Sequence, residues 1–201
     1  MAGLLSNLRN TLIVSFIIAL IIVAGYYVHN QSGPEIFFQA LFRWMHVLFG
    51  IMWIGLLWYF NFVQTRKMPE IPAELKPAIS KYIAPEAMFW FRWSALFTVL
   101  MGLILAYNRG YILQALTLGF TEHPIGVGHT FIGLGMWLGI IMMINVWGFI
   151  WPNQKRALGL VEADADTKAK SARLAMLFSR TNMLLSIPML VSMSMSQTIF
   201  G

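Results

Sequence analysis

The sequence predicts an all-α fold, a polytopic membrane helix bundle of about five transmembrane helices with a possible parallel two-helix repeat. Three observations predict it. The 201 residues are 58% hydrophobic and only 11% charged, which is far more apolar than a soluble domain. Five apolar stretches each provide the ~20 helical residues that cross a bilayer. The basic residues fall almost entirely on one side of these stretches.

We expect one integral membrane domain over residues 1–201, with helices near residues 11–29, 35–64, 85–107, 124–151 and 174–200. The first stretch is too long for the apolar region of a signal peptide and has no A-x-A site after it, so we expect it to remain as a helix. The four prolines of "TRKMPEIPAELKPAISKYIAPE" predict a connector with a short surface helix near residues 73–82.

The charge distribution predicts the topology. Of the 14 Lys and Arg residues, twelve lie on one side of the five helices and only Arg43 and Arg109 on the other. Because basic residues stay on the cytoplasmic side, we predict a multi-pass protein of the bacterial inner membrane, surrounded by membrane lipid, with the N-terminus cytoplasmic and the C-terminus periplasmic. The net charge of +6 follows from this topology, so nothing indicates nucleic-acid binding.

Two segments resemble each other. Residues 46–61 read "HVLFGIMWIGLLWYFN" and residues 129–145 read "HTFIGLGMWLGIIMMIN". Each has His, Gly four residues later, a Met-Trp-aliphatic-Gly group and then Asn, with one residue inserted in the second copy. Both helices run from outside to inside in the predicted topology, so the copies are expected to be parallel. The repeat pairs His46 with His129.

Two histidines on neighbouring helices predict a haem b site, because haem iron takes axial ligands from opposite sides and imidazole is a common ligand. With no cysteine in the chain, covalent haem attachment and thiolate ligation are excluded. Gly50 and Gly133 each lie one turn after a histidine and on its helical face, where a flat porphyrin can approach the backbone. Arg43 is expected to pair with a haem propionate.

Each of these residues also has a structural interpretation. A membrane histidine often donates an interhelical hydrogen bond, glycines often allow close helix packing, and Arg43 can extend to the membrane interface. Polar residues toward the cytoplasmic side form a second group, in which the candidate substrate ligands are Asn61, Glu86, Arg92, Asn145 and Arg180. They suit a planar anion, since Arg and Asn offer directed donors, but they also suit hydrogen bonds between packed helices.

Three segments resemble the membrane domain of the bacterial membrane-bound, cytochrome-c-linked urate oxidases (urate hydroxylases): "FRWMHVLFGIMWIGLLWYFNFVQ", "PEAMFWFRWSALFTVLMGLIL" and "IGLGMWLGIIMMINVWGFIWPNQKR". The resemblance covers roughly residues 36–156. It implies oxidation of urate to 5-hydroxyisourate, with electrons passed to a c-type cytochrome. Full-length members carry a cytochrome c domain, which this cysteine-free sequence lacks. The first segment is also similar to the histidine helix of the HemJ-type protoporphyrinogen oxidases.

The leading expectation is therefore a haem-b-containing membrane oxidoreductase of the urate hydroxylase type, which passes electrons to a c-type cytochrome or another electron carrier in purine catabolism. One alternative is a non-catalytic subunit of a larger respiratory or photosynthetic membrane complex, because the electron-exit domain is missing. Others are a HemJ-like protoporphyrinogen oxidase and, on the repeat and the inner polar residues alone, a small transporter or channel.

Overall fold

A computed structural model describes residues 2–30 and 33–200 and confirms the predicted all-α membrane helix bundle. No β-strand occurs in the described part of the chain. Five helices are long and apolar enough to cross a membrane: Leu8–His29, Pro34–Glu70, Lys76–Asn108, Val127–Ala157 and Ala165–Phe200. Each overlaps one predicted helix, although several ends differ.

The long helices are composed of α-, π- and 3-10-helical parts. In chain order the α-helices are α1 (Ala2–Leu5), α2 (Leu8–Asn30), α3 (Pro34–Trp58), α4 (Thr65–Lys67), α5 (Lys76–Ala78), α6 (Ala84–Asn108), α7 (Ile112–Leu116), α8 (Val127–Ile144), α9 (Trp151–Ala157) and α10 (Ala165–Phe200). Three π-helical turns, Tyr59–Gln64, Ile79–Ile83 and Asn145–Ile150, join neighbouring α-helices without a break, and a 3-10 turn, Met68–Glu70, follows α4.

Two long helices continue through prolines at which the sequence prediction placed a helix end. Proline lacks an amide hydrogen and clashes with the carbonyl four residues before it, so Pro85 and Pro152 were natural boundaries. In the structure a π-helical turn precedes each proline: the Ala84 amide donates to the Ile79 carbonyl, and the Trp151 amide donates to the Val146 carbonyl. In this wider turn the amide bonds to the carbonyl five residues before it instead of four. The hydrogen-bond pattern thus changes just before the proline, and the helix continues through it.

The predicted surface helix near residues 73–82 is therefore wrong as a separate element. The helix begins at Lys76 and runs through Ile79–Ile83 into α6. The polar side chains of its first turns suggest a connector, but the helical backbone runs without a break from these turns into α6. The last helix likewise begins at Ala165, nine residues before the predicted position at residue 174, because Asp164 caps a charged amphipathic start.

Both copies of the sequence repeat run into a π-helical turn at their asparagine. Asn61 is the third residue of Tyr59–Gln64, and Asn145 is the first residue of Asn145–Ile150. π-Helical turns are rare and contain one extra residue relative to the α-helix. The presence of a π-helical turn at both asparagines favours the repeat, although the turn begins two residues earlier relative to the asparagine in the first copy.

The described residues form two compact units, which divide within α3 after Leu41. The first unit comprises α1, α2 and the start of α3. Its helix α2 has no buried side chain among its described residues. Within this unit the ring of Tyr27 packs edge-on against Phe37, with 4.9 Å between the ring centroids.

The second unit, from Phe42 onward, has its apolar core between α3, α6, α8 and α10. The largest fully buried apolar side chains are those of Trp53, Leu57, Phe91, Met142, Val146 and Ile150. Hydrogen bonds between helices supplement this packing. The Asn145 amide donates to Asn182 Oδ1 at 3.0 Å, and Asn182 Nδ2 donates to the Met142 carbonyl at 2.9 Å. Ser192 accepts from the Gly135 amide and donates to the Phe131 carbonyl.

A candidate cofactor site around His46

One cavity of about 670 Å³ lies between α3, α6, α8 and α10 of the second unit. We name it the His46 cavity after the imidazole in its wall. Its volume falls within the range of about 300–1,000 Å³ that is typical of small-molecule and cofactor sites. Most lining side chains are aliphatic or aromatic, and the polar ones are Arg43, His46, Thr98, Tyr111, Ser194 and Gln197. The cavity is thus an apolar space with a few polar groups, as in many cofactor sites.

The imidazole of His46 is held by one nitrogen and has the other available. Its Nδ1 lies 2.7 Å from the carbonyl oxygen of Thr98 on α6. A carbonyl can only accept, so Nδ1 carries the hydrogen and Nε2 of the neutral ring has a free lone pair. Histidines that bind metals are typically oriented by this kind of second hydrogen bond. The ring therefore already links α3 to α6 through Nδ1, and its Nε2 can bind a metal.

Gly102 makes this orientation possible. A Cβ atom at residue 102 would lie 2.8 Å from both Cε1 and Nδ1 of His46. Gly102 is four residues after Thr98, hence one helical turn further along α6. The absence of a side chain there lets the imidazole lie against the helix and reach the Thr98 carbonyl.

The polar residues gather at one end of the cavity. Arg43 donates from a terminal guanidinium nitrogen to Gln197 Oε1 at 3.0 Å, which links α3 to α10. Its Nε is buried and has no hydrogen-bond partner among the described residues. Tyr111 follows α6 in the connector to α8 and also lines the cavity. Burial raises the pKa of Tyr111, while the positive charges of Arg109 and Arg43 act in the opposite direction.

The other end of the cavity is apolar. Trp58 on α3 lies 15 residues beyond Arg43, roughly 22 Å along the helix. Trp53 lies between them and is 1% exposed, yet its indole Nε1 has no partner among the described residues. A buried donor without a partner is uncommon in proteins and is one sign of a missing ligand. Arg43 Nε and Trp53 Nε1 are two such donors on one cavity wall.

Glycines widen the cavity where no protein atom fills the space. A Cβ atom at Gly55 or Gly139 would have no neighbour within 4 Å, and at Gly50 it would meet only Thr98 Cγ2 at 3.7 Å. Protein packing therefore does not require glycine at these three positions. All three line the cavity, where their backbones are open to a flat occupant.

The structure brings together only part of the predicted haem site. Arg43, His46 and Gly50 line the cavity, whereas His129 and Gly133 are absent from its wall. His129 Nδ1 lies 2.7 Å from Glu122 Oε2, and its ring stacks on Tyr111 with 5.8 Å between centroids. A Cβ at Gly133 would collide with the Ala115 carbonyl, so this glycine accommodates the end of α7.

The predicted substrate residues do not line the His46 cavity either. Asn61 donates to the Leu57 carbonyl at 2.8 Å and to Ser179 Oγ at 3.0 Å, and Asn145 is bonded to Asn182. Glu86 accepts from the Trp90 indole at 2.9 Å, and Arg180 is exposed. The two asparagines thus have the helix-packing role that the sequence left as an alternative.

Arg92, the fifth of these residues, belongs to an aromatic cluster in the first part of α6 and at the start of α9. Its guanidinium carbon lies 3.8 Å from the centroid of Trp151 and 5.4 Å from that of Phe89. The backbone carbonyl of Arg92 accepts from the Trp147 indole at 3.0 Å. The guanidinium is therefore positioned by ring stacking.

Several residues of the cavity are not among those predicted from the sequence. Thr98, Gly102, Tyr111 and Gln197 orient His46 and Arg43 or line the wall beside them. Thr98 and Gln197 are polar residues within apolar helices, which is the same signal that pointed to Arg43 and His46. Met136, Met189 and Met193 also line the cavity, and a methionine thioether is a second class of haem-iron ligand.

Comparison of the chain with protein-family models, with curated proteins and with solved structures finds no match. The function therefore has to be inferred from the cavity. In the described residues no group of three or more His, Cys, Asp or Glu side chains could hold a metal ion alone.

Proposed function

We propose that this protein is a membrane oxidoreductase that holds haem b in the His46 cavity. One observation carries the proposal: His46, whose Nδ1 is bonded to the Thr98 carbonyl and whose Nε2 keeps its lone pair, lines an apolar cavity that has an arginine at one end. When bound, haem supplies one-electron redox chemistry that amino-acid side chains do not provide.

The residues of the cavity fit this group. His46 Nε2 serves as one iron ligand, with the Thr98 carbonyl fixing the ring. Arg43, held by Gln197 and with Nε unpaired, receives a propionate through charge-assisted hydrogen bonds. Gly50, Gly55 and Gly139 leave space along the walls for the porphyrin, and the apolar lining excludes water from it.

The residue that would hold the haem iron together with His46 differs from the one that the sequence predicts. His129 does not line the cavity, whereas Met136, Met189 and Met193 do. We therefore propose a thioether from α8 or α10 as the partner of His46. Replacing an imidazole by a thioether raises the haem potential, as in cytochromes c.

A reduced-minus-oxidised absorbance spectrum of the purified protein, expressed with added haem, tests the proposal. We expect a b-type signal in the wild type, its loss in His46→Ala and its retention in His129→Ala. The His129→Ala protein is the matched control, because it also removes a hydrogen-bonded imidazole. A wild-type protein without a Soret band, or an undiminished signal in His46→Ala, would overturn the haem proposal. Loss of the signal in both variants would restore joint histidine ligation.

The finer assignment, urate oxidation with electron transfer to a c-type cytochrome, is also a proposal. It rests on the resemblance of the three segments to the urate hydroxylases. Haem-loaded protein in the presence of urate should reduce added cytochrome c, and the His46→Ala protein should not. Haem-loaded protein that leaves cytochrome c oxidised would refute the urate assignment while leaving haem binding intact.

A second candidate, an accessory subunit of a larger membrane complex, is favoured by α2. This helix is apolar and has no buried side chain among its described residues, so lipid or another subunit contacts it on several sides. Purification from native membranes in a mild detergent distinguishes the candidates. A stoichiometric partner combined with no substrate turnover would favour the accessory role.

A further inference from the structure

Two cations converge on one indole ring outside the His46 cavity. The guanidinium carbon of Arg92 lies 3.8 Å from the Trp151 centroid, and Lys155 Nζ lies 5.7 Å from the same centroid. Arg92 comes from α6, and both Trp151 and Lys155 from α9. We name this group the Trp151 site.

No carboxylate of the described residues forms an ion pair with Arg92 or Lys155. Among the described residues the ion pairs are Lys67–Glu70 and Glu122–His129, and neither includes Arg92 or Lys155. Glu86, on the same helix as Arg92, bonds to the Trp90 indole. Each cation gains from the face of the indole, but the ring carries no net charge, so the repulsion between two like charges is not cancelled. The Trp151 site can therefore accept an external anion.

The surroundings of the site indicate what kind of anion fits. Trp151 lies 24 residues after Val127, roughly 36 Å along a continuous helix, which is more than the thickness of a hydrocarbon core of about 30 Å. Phe89, Trp90 and Phe149 nearby in sequence are 41%, 50% and 42% exposed. Exposed aromatic side chains at this depth are typical of the membrane interface, where lipid headgroups meet acyl chains. An anion with attached apolar chains is therefore favoured over a soluble one.

We propose that the Trp151 site binds the phosphate of an anionic phospholipid in the leaflet that faces the basic side of the protein. Arg92 offers a planar set of donors to the phosphate oxygens, and its stack on Trp151 fixes the orientation of that plane. Lys155 adds a second positive charge. The exposed aromatic side chains contact the acyl chains. This proposal is independent of the haem proposal.

Titration of the detergent-solubilised protein with short-chain phosphatidylglycerol, followed by native mass spectrometry, tests the site. A basic residue near a membrane surface contributes about a fivefold change in affinity for anionic lipid. We expect Lys155→Gln to weaken binding about fivefold and Arg92→Gln with Lys155→Gln about 25-fold, if the two contributions add. The matched control is Arg156→Gln, which removes an exposed charge from the same helix and leaves the site intact.

Phosphatidylcholine and inorganic phosphate serve as the other probes. Phosphatidylcholine has the same phosphate with no net charge and should bind more weakly, and inorganic phosphate should compete poorly because it lacks acyl chains. The proposal is overturned if the double variant binds phosphatidylglycerol like the wild type, or if phosphatidylcholine binds equally well. Efficient displacement by inorganic phosphate would replace the lipid with a soluble anion. Since Lys155 is partly exposed, Lys155→Gln provides a folded variant even if Arg92→Gln fails to fold.

Discussion

Because Gly102 has no side chain, the His46 ring can lie against α6. In Gly102→Ala the new Cβ would be 2.8 Å from two ring atoms, so the imidazole must move away from Thr98. Overpacking of this kind costs about 1–3 kcal/mol. We expect the free energy of unfolding in detergent to fall by that amount, together with haem content. The control is Gly50→Ala, whose Cβ meets only Thr98 Cγ2 at 3.7 Å. Equal stability of the two variants would contradict the assigned role of Gly102.

Arg43 is expected to act on haem affinity and not on iron ligation. Its guanidinium bonds to Gln197, and its buried Nε is free for a propionate. Hydrogen bonds to charged groups contribute about 1.5–3 kcal/mol, so Arg43→Gln should weaken haem binding roughly 10- to 150-fold. Haem transfer to apomyoglobin measures this change. The positions of the absorbance bands should stay as in the wild type, and a shift in them would instead place Arg43 close to the iron.

At the scale of residues, sequence predicts polar groups better than it predicts their partners. Arg43 and His46 stood out because ionisable residues in apolar helices are costly. The Thr98 carbonyl could not be found in this way, since every residue has a carbonyl and only the fold brings this one to 2.7 Å from His46. His129 matched His46 in the repeat, but Glu122 in the connector between α6 and α8 binds it.

The start of α10 illustrates how one residue defines an element. Asp164 accepts from the Thr167 amide at 2.7 Å and from the Thr167 hydroxyl at 2.9 Å, as an N-terminal cap does. These bonds lower the pKa of Asp164. The stabilisation is therefore complete above the unfolded pKa of about 3.9 and is lost as the pH falls through the folded pKa.

We expect the amides of the first turn of α10 to exchange faster with solvent once the pH falls below about 4, after correction for intrinsic rates. Asp164→Asn keeps the capping geometry but does not titrate, so it should remove this pH dependence. Hydrogen exchange followed by mass spectrometry measures it. An identical pH profile in both proteins would show that Asp164 is not the responsible group.

The α7 element depends on Gly133 in α8. The Ala115 carbonyl occupies the space of a Cβ at residue 133, and Thr130 Oγ1 and Trp137 Nε1 donate to the carbonyls of Leu118 and Leu116 at 2.6 and 3.0 Å. Gly133→Ala should therefore lower the free energy of unfolding by about 1–3 kcal/mol. Gly139→Ala on the same helix is the control, because a Cβ there meets nothing within 4 Å. Gly133→Ala with wild-type stability would contradict this packing.

At the scale of elements, sequence predicted the five long helices but misplaced ends that depend on backbone hydrogen bonds. Length and apolar composition are sufficient for a helix that crosses a bilayer. Pro85 and Pro152 signal a break, and only the π-helical turns before them show that the helix continues. Such turns have no reliable sequence signature.

The whole molecule is suited to a direct test of its topology because the chain contains no cysteine. Single cysteines at exposed positions, Ala73→Cys and Ile125→Cys, are expected on the cytoplasmic and periplasmic sides respectively. A membrane-impermeant maleimide should label Ile125→Cys in cells with a permeable outer membrane, and Ala73→Cys only after the inner membrane is disrupted. The reverse pattern would invert the predicted orientation and place Arg43 toward the cytoplasm.

At this scale composition and charge were sufficient for the membrane helix bundle, whereas the cavity required the fold. Four helices that are far apart in sequence form its wall, and residues as distant as Arg43 and Gln197 meet there. Helical periodicity describes one helix at a time and contains no information on which neighbours leave a gap.

The π-helical turns also determine how the long helices respond to the insertion or deletion of a single residue. Each contains one more residue than an α-helical turn needs, and the side chains that follow are displaced by about 100° around the axis relative to an unbroken α-helix. Deleting one residue within Asn145–Ile150 would restore regular winding yet point Trp151 and Lys155 away from Arg92. Insertion or deletion of one residue inside a long helix therefore rotates one half of that helix, while the other half keeps its contacts with neighbouring helices.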